Sequence, residues 1–290
     1  MVFSPDSRLI ASATNEGNIR IWDLSGKQLA EFKVEPGFFQ YNVSDPADKY
    51  AELIFNPNGQ QLAAIGSGGE VRLWDILGQQ KLEHWLDVHP VLGSRREYRW
   101  HIAFSPDGKR LTVAGGSDKA KIWDTSSGTQ VAEFQVKNSE YILHSLVYSP
   151  DNKYLVINEK NLNNNTISLR DSDLKPIQEF QDNAENFNFS FSPDGQQFAI
   201  IKNDTVYLWN FTEGKAKEFR HHQKVSKLLF KPDSKQFITV ENNKVIRLWN
   251  VSGKQETQLQ LKNSTSSIEP IKFSPDGKLL ATVAPDALFV

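Results

Sequence analysis

The stretch that decides the fold runs from Phe104 to Asp124 and reads FSPDGKRLTVAGGSDKAKIWD. It opens on an aromatic residue, turns at Pro-Asp-Gly and closes on a Trp-Asp pair 20 residues after the aromatic. Proline presets φ for the first turn position, and glycine accepts the left-handed conformation that closes a short hairpin. Apolar alternation at Ile102 and Phe104 marks a strand before the turn. RLTVAG marks a second strand after it, and KIWD a third.

The aromatic-Pro phrase occurs seven times, anchored at Phe3, Phe55, Phe104, Tyr148, Phe191, Phe230 and Phe273. Successive anchors lie 52, 49, 44, 43, 39 and 43 residues apart. The closing phrase follows in six copies, ending at Asp23, Asp75, Asp124, Asp171, Asn210 and Asn250. In four of these six the interval from anchor to closing residue is 20, too constant for chance. Asn152 takes the glycine place in the fourth copy, where Asn is tolerated, while Ser7 and Ser234 fit that place less well. After the Trp strand, DLSGK or NVSGK makes another turn, and a segment such as QLAEFKV closes the unit as a fourth strand. Four short antiparallel strands in roughly 43 residues cannot bury both faces alone, but stacked sheets can.

Seven such turns in phase with Trp22, Trp74, Trp123, Trp209 and Trp249 make the chain resemble the Trp-Asp (WD) repeat proteins. IRIWDLSGKQLAEF is most similar to bacterial, particularly cyanobacterial, members. The resemblance implies an all-β, seven-bladed β-propeller with four-stranded blades, in one domain over residues 1–290. Blades are expected to start near residues 1, 53, 102, 146, 189, 228 and 271. The family also implies a Gly-His before the first strand and an Asp in the hairpin before the Trp, bonded to Ser or Thr and to the Trp. Six residues before each repeat Trp stand Glu16, Gly68, Ser117, Asn203 and Asn243, none of them Asp, with Asp118 one place away. Only His221 and His222 are near the expected place, with Thr239 and Trp249 completing a partial set. The fourth copy has Arg170 where Trp belongs. The polar network is therefore expected to be patchy, with apolar packing between blades dominant.

In the last copy, IKFSPDGKLLATVAPDALFV, the closing Asp would fall three residues beyond Val290. The seventh blade is thus expected to be incomplete, with an unpaired strand edge near Ala287–Val290 open to pairing with another chain. A piece of a longer protein is the favoured reading.

The net charge of −2 argues against a nucleic-acid-coating or polybasic membrane protein. No apolar run approaches the roughly 18 residues of a membrane span, and MVFSPDSRLI lacks a signal-peptide pattern. The sequence has no cysteine, which excludes disulfides, thiolate metal sites and cysteine nucleophiles and fits a cytoplasmic setting.

Chemistry is scarce. The six histidines show no ligand spacing, and His221-His222 reads as a solvated turn rather than a metal site. GSGGE at Gly66–Glu70 lacks a P-loop lysine, and no nucleophile elbow occurs. Asp6, Asp107, Asp194 and Asp276 have structural explanations as turn residues. No catalytic residue, metal or cofactor is expected. The rival enzyme reading is a propeller-type hydrolase or lactonase with a central-channel site, which needs acidic and His ligands converging near the axis. A decayed remnant without function is a third reading.

Binding has candidates in the two longest connections between copies. EPGFFQYNVSDPADKY carries Phe38, Phe39, Tyr41 and Tyr50, and HWLDVHPVLGSRREYRWH carries Arg95, Arg96, Tyr98 and Arg99. Aromatic residues and arginines are enriched at interface hot spots. Trp85 and Trp100, in the second segment, read as strand residues. A basic run, Gly214–Lys235, holds Lys215, Lys217, Arg220, Lys224, Lys227, Lys231 and Lys235. It reads as solvated strand faces, or as a dock for an acidic partner or phosphate. The expected function is a protein–protein interaction scaffold with a protein or peptide partner, and with neither nucleic acid nor membrane.

Overall fold

The computed structural model describes residues 1–14, 16–34, 52–66, 70–85, 100–115, 117–135, 142–160, 165–182, 188–242, 244–260, 271–284 and 287–289. Among them every regular element is a strand. The first sheet holds β1 (Val2–Phe3), β2 (Leu9–Ala13), β3 (Asn18–Asp23) and β4 (Gln28–Lys33). The second holds β5 (Glu52–Phe55), β6 (Gln61–Ile65), β7 (Glu70–Asp75) and β8 (Gln80–Trp85). The third holds β9 (Trp100–Phe104), β10 (Arg110–Gly115), β11 (Ser117–Asp124) and β12 (Gln130–Gln135). The fourth holds β13 (Ile142–Tyr148), β14 (Tyr154–Lys160), β15 (Asn165–Asp171) and β16 (Pro176–Asp182). The fifth holds β17 (Asn188–Phe191), β18 (Gln197–Lys202), β19 (Thr205–Asn210) and β20 (Lys215–Arg220). The sixth holds β21 (Val225–Phe230), β22 (Gln236–Glu241), β23 (Val245–Asn250) and β24 (Gln255–Gln260). The seventh has three strands, β25 (Ile271–Phe273), β26 (Leu280–Ala284) and β27 (Ala287–Phe289), with β27 at its edge. In every sheet, strands neighbour in chain order, the blade-like plan expected from the repeat.

Each signature residue has a mechanical task. In the first turn Ser4 Oγ donates to Asp6 Oδ1 at 2.6 Å and accepts from the Leu9 amide at 2.9 Å. Ser105, Ser192 and Ser274 repeat the arrangement with Asp107, Asp194 and Asp276. The bond from Ser4 holds the Asp6 carboxyl below its usual range, and Ser274 does the same to Asp276. The Asp of the Trp-Asp pair caps the next turn: Asp124 Oδ1 accepts from Ser126 Oγ and from the amides of Ser126 and Ser127. Those bonds, the Ser126 hydroxyl first, bring the Asp124 pKa down to about 2. Asn210 accepts equivalent amides, which is why Asn can replace Asp there. Ser7, Asn152 and Ser234 adopt φ of 58°, 62° and 59°, the place that glycine fills in other copies. Ser234 fits better than its residue type promises, because its hydroxyl accepts from the Asp194 amide at 3.0 Å.

The described residues group into two compact units, Met1–Tyr148 with Tyr154–Gln181, and Ser149–Lys153 with Asp182–Val290. In the first unit three apolar clusters lie between consecutive sheets. Ile21, Phe32, Leu62 and Trp74 join the first to the second, Leu73, Leu82, Leu111 and Trp123 the second to the third, and Ile122, Phe134, Leu155 and Ile157 the third to the fourth. In the second unit Leu208, Phe219, Phe237 and Trp249 join the fifth sheet to the sixth, and Ile246 and Ile271 the sixth to the seventh. Trp74, Trp123 and Trp249 are buried, and Trp22 and Trp209 half-buried. A buried Trp removes ~150–250 Å² from water, a gross ~4–6 kcal/mol at ~25 cal/mol/Å².

Candidate interaction site on the sixth sheet

The sequence's partial polar set comes together at the end of the sixth sheet. Trp249 Nε1 donates to Thr239 Oγ1 at 2.9 Å, and Thr239 Oγ1 lies 2.8 Å from His221 Nε2. His221 Nδ1 lies 2.9 Å from the Phe219 carbonyl oxygen, which only accepts, so Nδ1 carries the proton. Nε2 then accepts the Thr239 hydroxyl proton, and the relay runs Trp249 to Thr239 to His221 to Phe219. A backbone carbonyl occupies the imidazole's far nitrogen, so this sheet holds its histidine without the family's Asp. Asn243, in that Asp's place, lies outside the described residues. Reading His221 as solvated is corrected here: it is 7% exposed, whereas His222 is exposed.

In the first sheet a shorter version survives, with Trp22 Nε1 bonded to Ser12 Oγ at 3.0 Å. At the matching register position the second to fifth sheets carry Ala64, Val113, Ile157 and Ile200, all buried and apolar, while the seventh, which has no repeat Trp, carries the buried Thr282. The network is therefore patchy, and packing replaces it. Trp74 stacks on Phe32 with ring centroids 5.7 Å apart, and Trp249 meets Phe219 edge-on at 5.5 Å.

Two residues before the repeat Trp, the first three sheets place a cation on the third strand opposite a carboxylate on the fourth, with Lys121 opposite Glu133 in the third sheet. Arg20 bonds Glu31 at 3.1 Å and Arg72 bonds Glu83 at 2.8 Å. The fourth and fifth sheets carry Ser168 and Tyr207 in the cation's place, opposite Glu179 and Glu218, and the sixth departs in another way. Gln258 stands at the Glu position, and Arg247 Nη1 donates to Gln258 at 2.7 Å and Gln255 at 3.0 Å. Arg247 Nε instead pairs with Glu241 on the second strand, whose side chain is 2% exposed. Above this pair opens a cavity of about 640 Å³ whose wall includes His222, Glu241, Asn242, Lys244, Arg247 and Gln260. The floor is a fixed ion pair, and the rim is polar and exposed.

Burial pushes the His221 pKa below its ordinary 6.5, outweighing the Glu241 charge that favours the imidazolium. A histidine depressed in the folded state takes up a proton on unfolding. Its contribution is complete above 6.5 and is lost as pH falls through the folded value. Denaturation midpoints of the wild type should therefore drop between pH 8 and pH 5 with a component that His221→Gln lacks. That component reaches at most ~1.4 kcal/mol per pH unit. Parallel pH profiles for the two proteins would show that the relay does not hold His221 neutral.

The connection candidates Phe38, Phe39, Tyr41, Arg95, Arg96, Tyr98 and Arg99 lie outside the described residues. Trp85 ends β8 and Trp100 begins β9, as the strand reading expected. In the basic run Lys215, Arg220, Lys224 and Lys235 are exposed, and Lys217, Lys227 and Lys231 half-buried. Lys231 Nζ bonds Gln236 Oε1 at 2.8 Å. The sixth-sheet recess was not foreseen, because its wall is assembled from three separate chain segments, the connection at His222, the β22–β23 hairpin and the end of β24.

Three stretches of the chain, residues 1–23, 93–124 and 214–250, match the family model "WD domain, G-beta repeat". These three stretches are similar to WD repeats. The third match spans the whole His221–Thr239–Trp249 relay, and the first spans the Ser12–Trp22 bond. Both Trp residues that bond a buried or half-buried hydroxyl thus lie in matched stretches. No curated protein matches the chain significantly.

Proposed function

We propose that this chain is a non-enzymatic interaction module whose sheets close into a seven-bladed propeller and present loops to a protein or peptide partner. WD repeats generally serve protein–protein interaction, which supports the reading at the level of class. One observation carries it further. The sheets are near copies, yet the connections from Lys33 to Glu52 and from Trp85 to Trp100 are longer than any other between sheets. Length added there, beside a frame held constant, is length available for recognition. Those connections carry Phe38, Phe39, Tyr41, Arg95, Arg96, Tyr98 and Arg99, residue types that dominate interface energetics. The cysteine-free sequence supports a cytoplasmic setting.

The test replaces Phe38, Phe39, Arg95 and Arg96 together with alanine. Partner capture from native lysate should vanish while the melting temperature stays at the wild-type value. Undiminished capture by the quadruple variant would remove the two connections from the binding surface.

A further inference from the structure

We infer that the recess at the end of the sixth sheet binds a glutamate- or aspartate-rich peptide segment of a partner protein. This rests on the interaction-module reading and names a second contact for it. The recess lies within one sheet and its preceding connection, so its shape does not depend on how other sheets are placed.

The charge inventory gives the sign. Glu241 and Arg247 neutralise each other in the floor. Lys244 is exposed and has no side-chain partner among the described residues, and neither does the exposed His222. What remains on the rim is one full positive charge, a histidine, and the side-chain amides of Gln260, Gln223 and Asn242, the last of which donates to Gln223 Oε1 at 2.6 Å. The connection that forms one wall follows on Arg220, which pairs with Glu218 at 3.2 Å, and leads to the exposed Lys224. The exposed Lys215, Lys224 and Lys235 of the basic run supply a positive field that steers an acidic segment toward the rim.

The donor set decides between carboxylate and phosphate. Tight phosphate sites use a free guanidinium fork or converging backbone amides. The Arg247 fork is already taken by Glu241, Gln255 and Gln258. A single ammonium with flanking side-chain amides suits a carboxylate carried on a peptide, whose own backbone can pair with Asn242 and Gln260. A volume of about 640 Å³ also exceeds what one phosphate fills and accommodates several residues. The floor is preorganised, because Arg247 has four side-chain bonds that fix it before any ligand arrives.

The test measures fluorescence anisotropy of a labelled peptide with three consecutive glutamates, using the full chain. Binding should weaken as salt rises, and Lys244→Glu should lose at least tenfold in affinity. Lys215→Glu, an equal charge change on exposed β20, should lose less than threefold, with both variants melting as wild type. A peptide with lysines in place of glutamates should not bind, and millimolar inorganic phosphate should not displace the acidic one. Absence of binding, equal losses in the two variants, or displacement by phosphate would each overturn the inference. Lysate capture separates the two levels. Wild-type capture that survives Lys244→Glu sinks the recess alone, whereas wild type that captures nothing sinks the interaction-module reading itself.

Discussion

Thr239→Val is expected to destabilise the second unit by about 3 kcal/mol, although valine matches threonine in shape. The hydroxyl serves two buried partners at once, accepting from Trp249 Nε1 and donating to His221 Nε2. Thr239 is fully buried, so no water can take its place. Each orphaned buried polar group costs about 1–3 kcal/mol, and this substitution orphans two. Thr239→Ser keeps the hydroxyl and loses one methyl, so it should cost only about 1 kcal/mol. Urea denaturation of the three proteins reads the difference. Valine and serine variants of equal stability would mean that the relay contributes nothing beyond packing.

Gly195→Ala should cost about 3 kcal/mol, and Gly59→Ala only about 1 kcal/mol. Both glycines occupy the same turn position with φ of +72°, so both alanines incur the left-handed penalty of roughly 1 kcal/mol. They differ in what a Cβ would meet. At Gly59 the nearest atoms are Pro5 Cδ at 3.9 Å and Ser4 Cβ at 4.0 Å, which is open contact. At Gly195 they are Asp151 Cγ at 2.7 Å and Oδ1 at 2.8 Å. Asp151 cannot swing away freely, because it accepts from Ser149 Oγ at 2.7 Å and the Lys153 amide at 3.2 Å. Alanine must therefore break one turn to fit the other. Equal losses at the two glycines, measured by thermal denaturation, would show that the turns touch without supporting each other.

The strands and turns were legible because their signals are local. Alternation has a period of two residues, and the Ser-Pro-Asp-Gly turn is complete within six. The polar set at His221, Thr239 and Trp249 was legible only through resemblance, since its members are 18 and 10 residues apart. The exposure of His221 was misjudged for the same reason. Its neighbour His222 is exposed, and nothing in the dipeptide says which ring turns inward toward Thr239. The cation–Glu pairs went unread, yet they carried a usable signal. Arg20 to Glu31 and Arg72 to Glu83 span the same 11 residues, as do Ser168 to Glu179 and Arg247 to Gln258. The recess escaped because it depends on Arg247 pairing with Glu241 on the second strand while also bonding Gln255 and Gln258 on the fourth, and pairwise spacing cannot show that arrangement.

Arg170 shows how such a chain can drift. Its guanidinium lies 4.8 Å from the Phe134 ring centroid and donates to the Leu174 carbonyl at 2.8 Å. A flat cation thus covers an aromatic ring of the preceding sheet, much as Trp74 covers Phe32. The neighbour asks for a planar surface, and it is indifferent to whether indole or guanidinium supplies it. Since each apolar cluster in the two units draws on consecutive sheets, a change of this kind is judged locally. One copy can therefore do without the Trp while its sheet keeps the four-stranded plan of its neighbours.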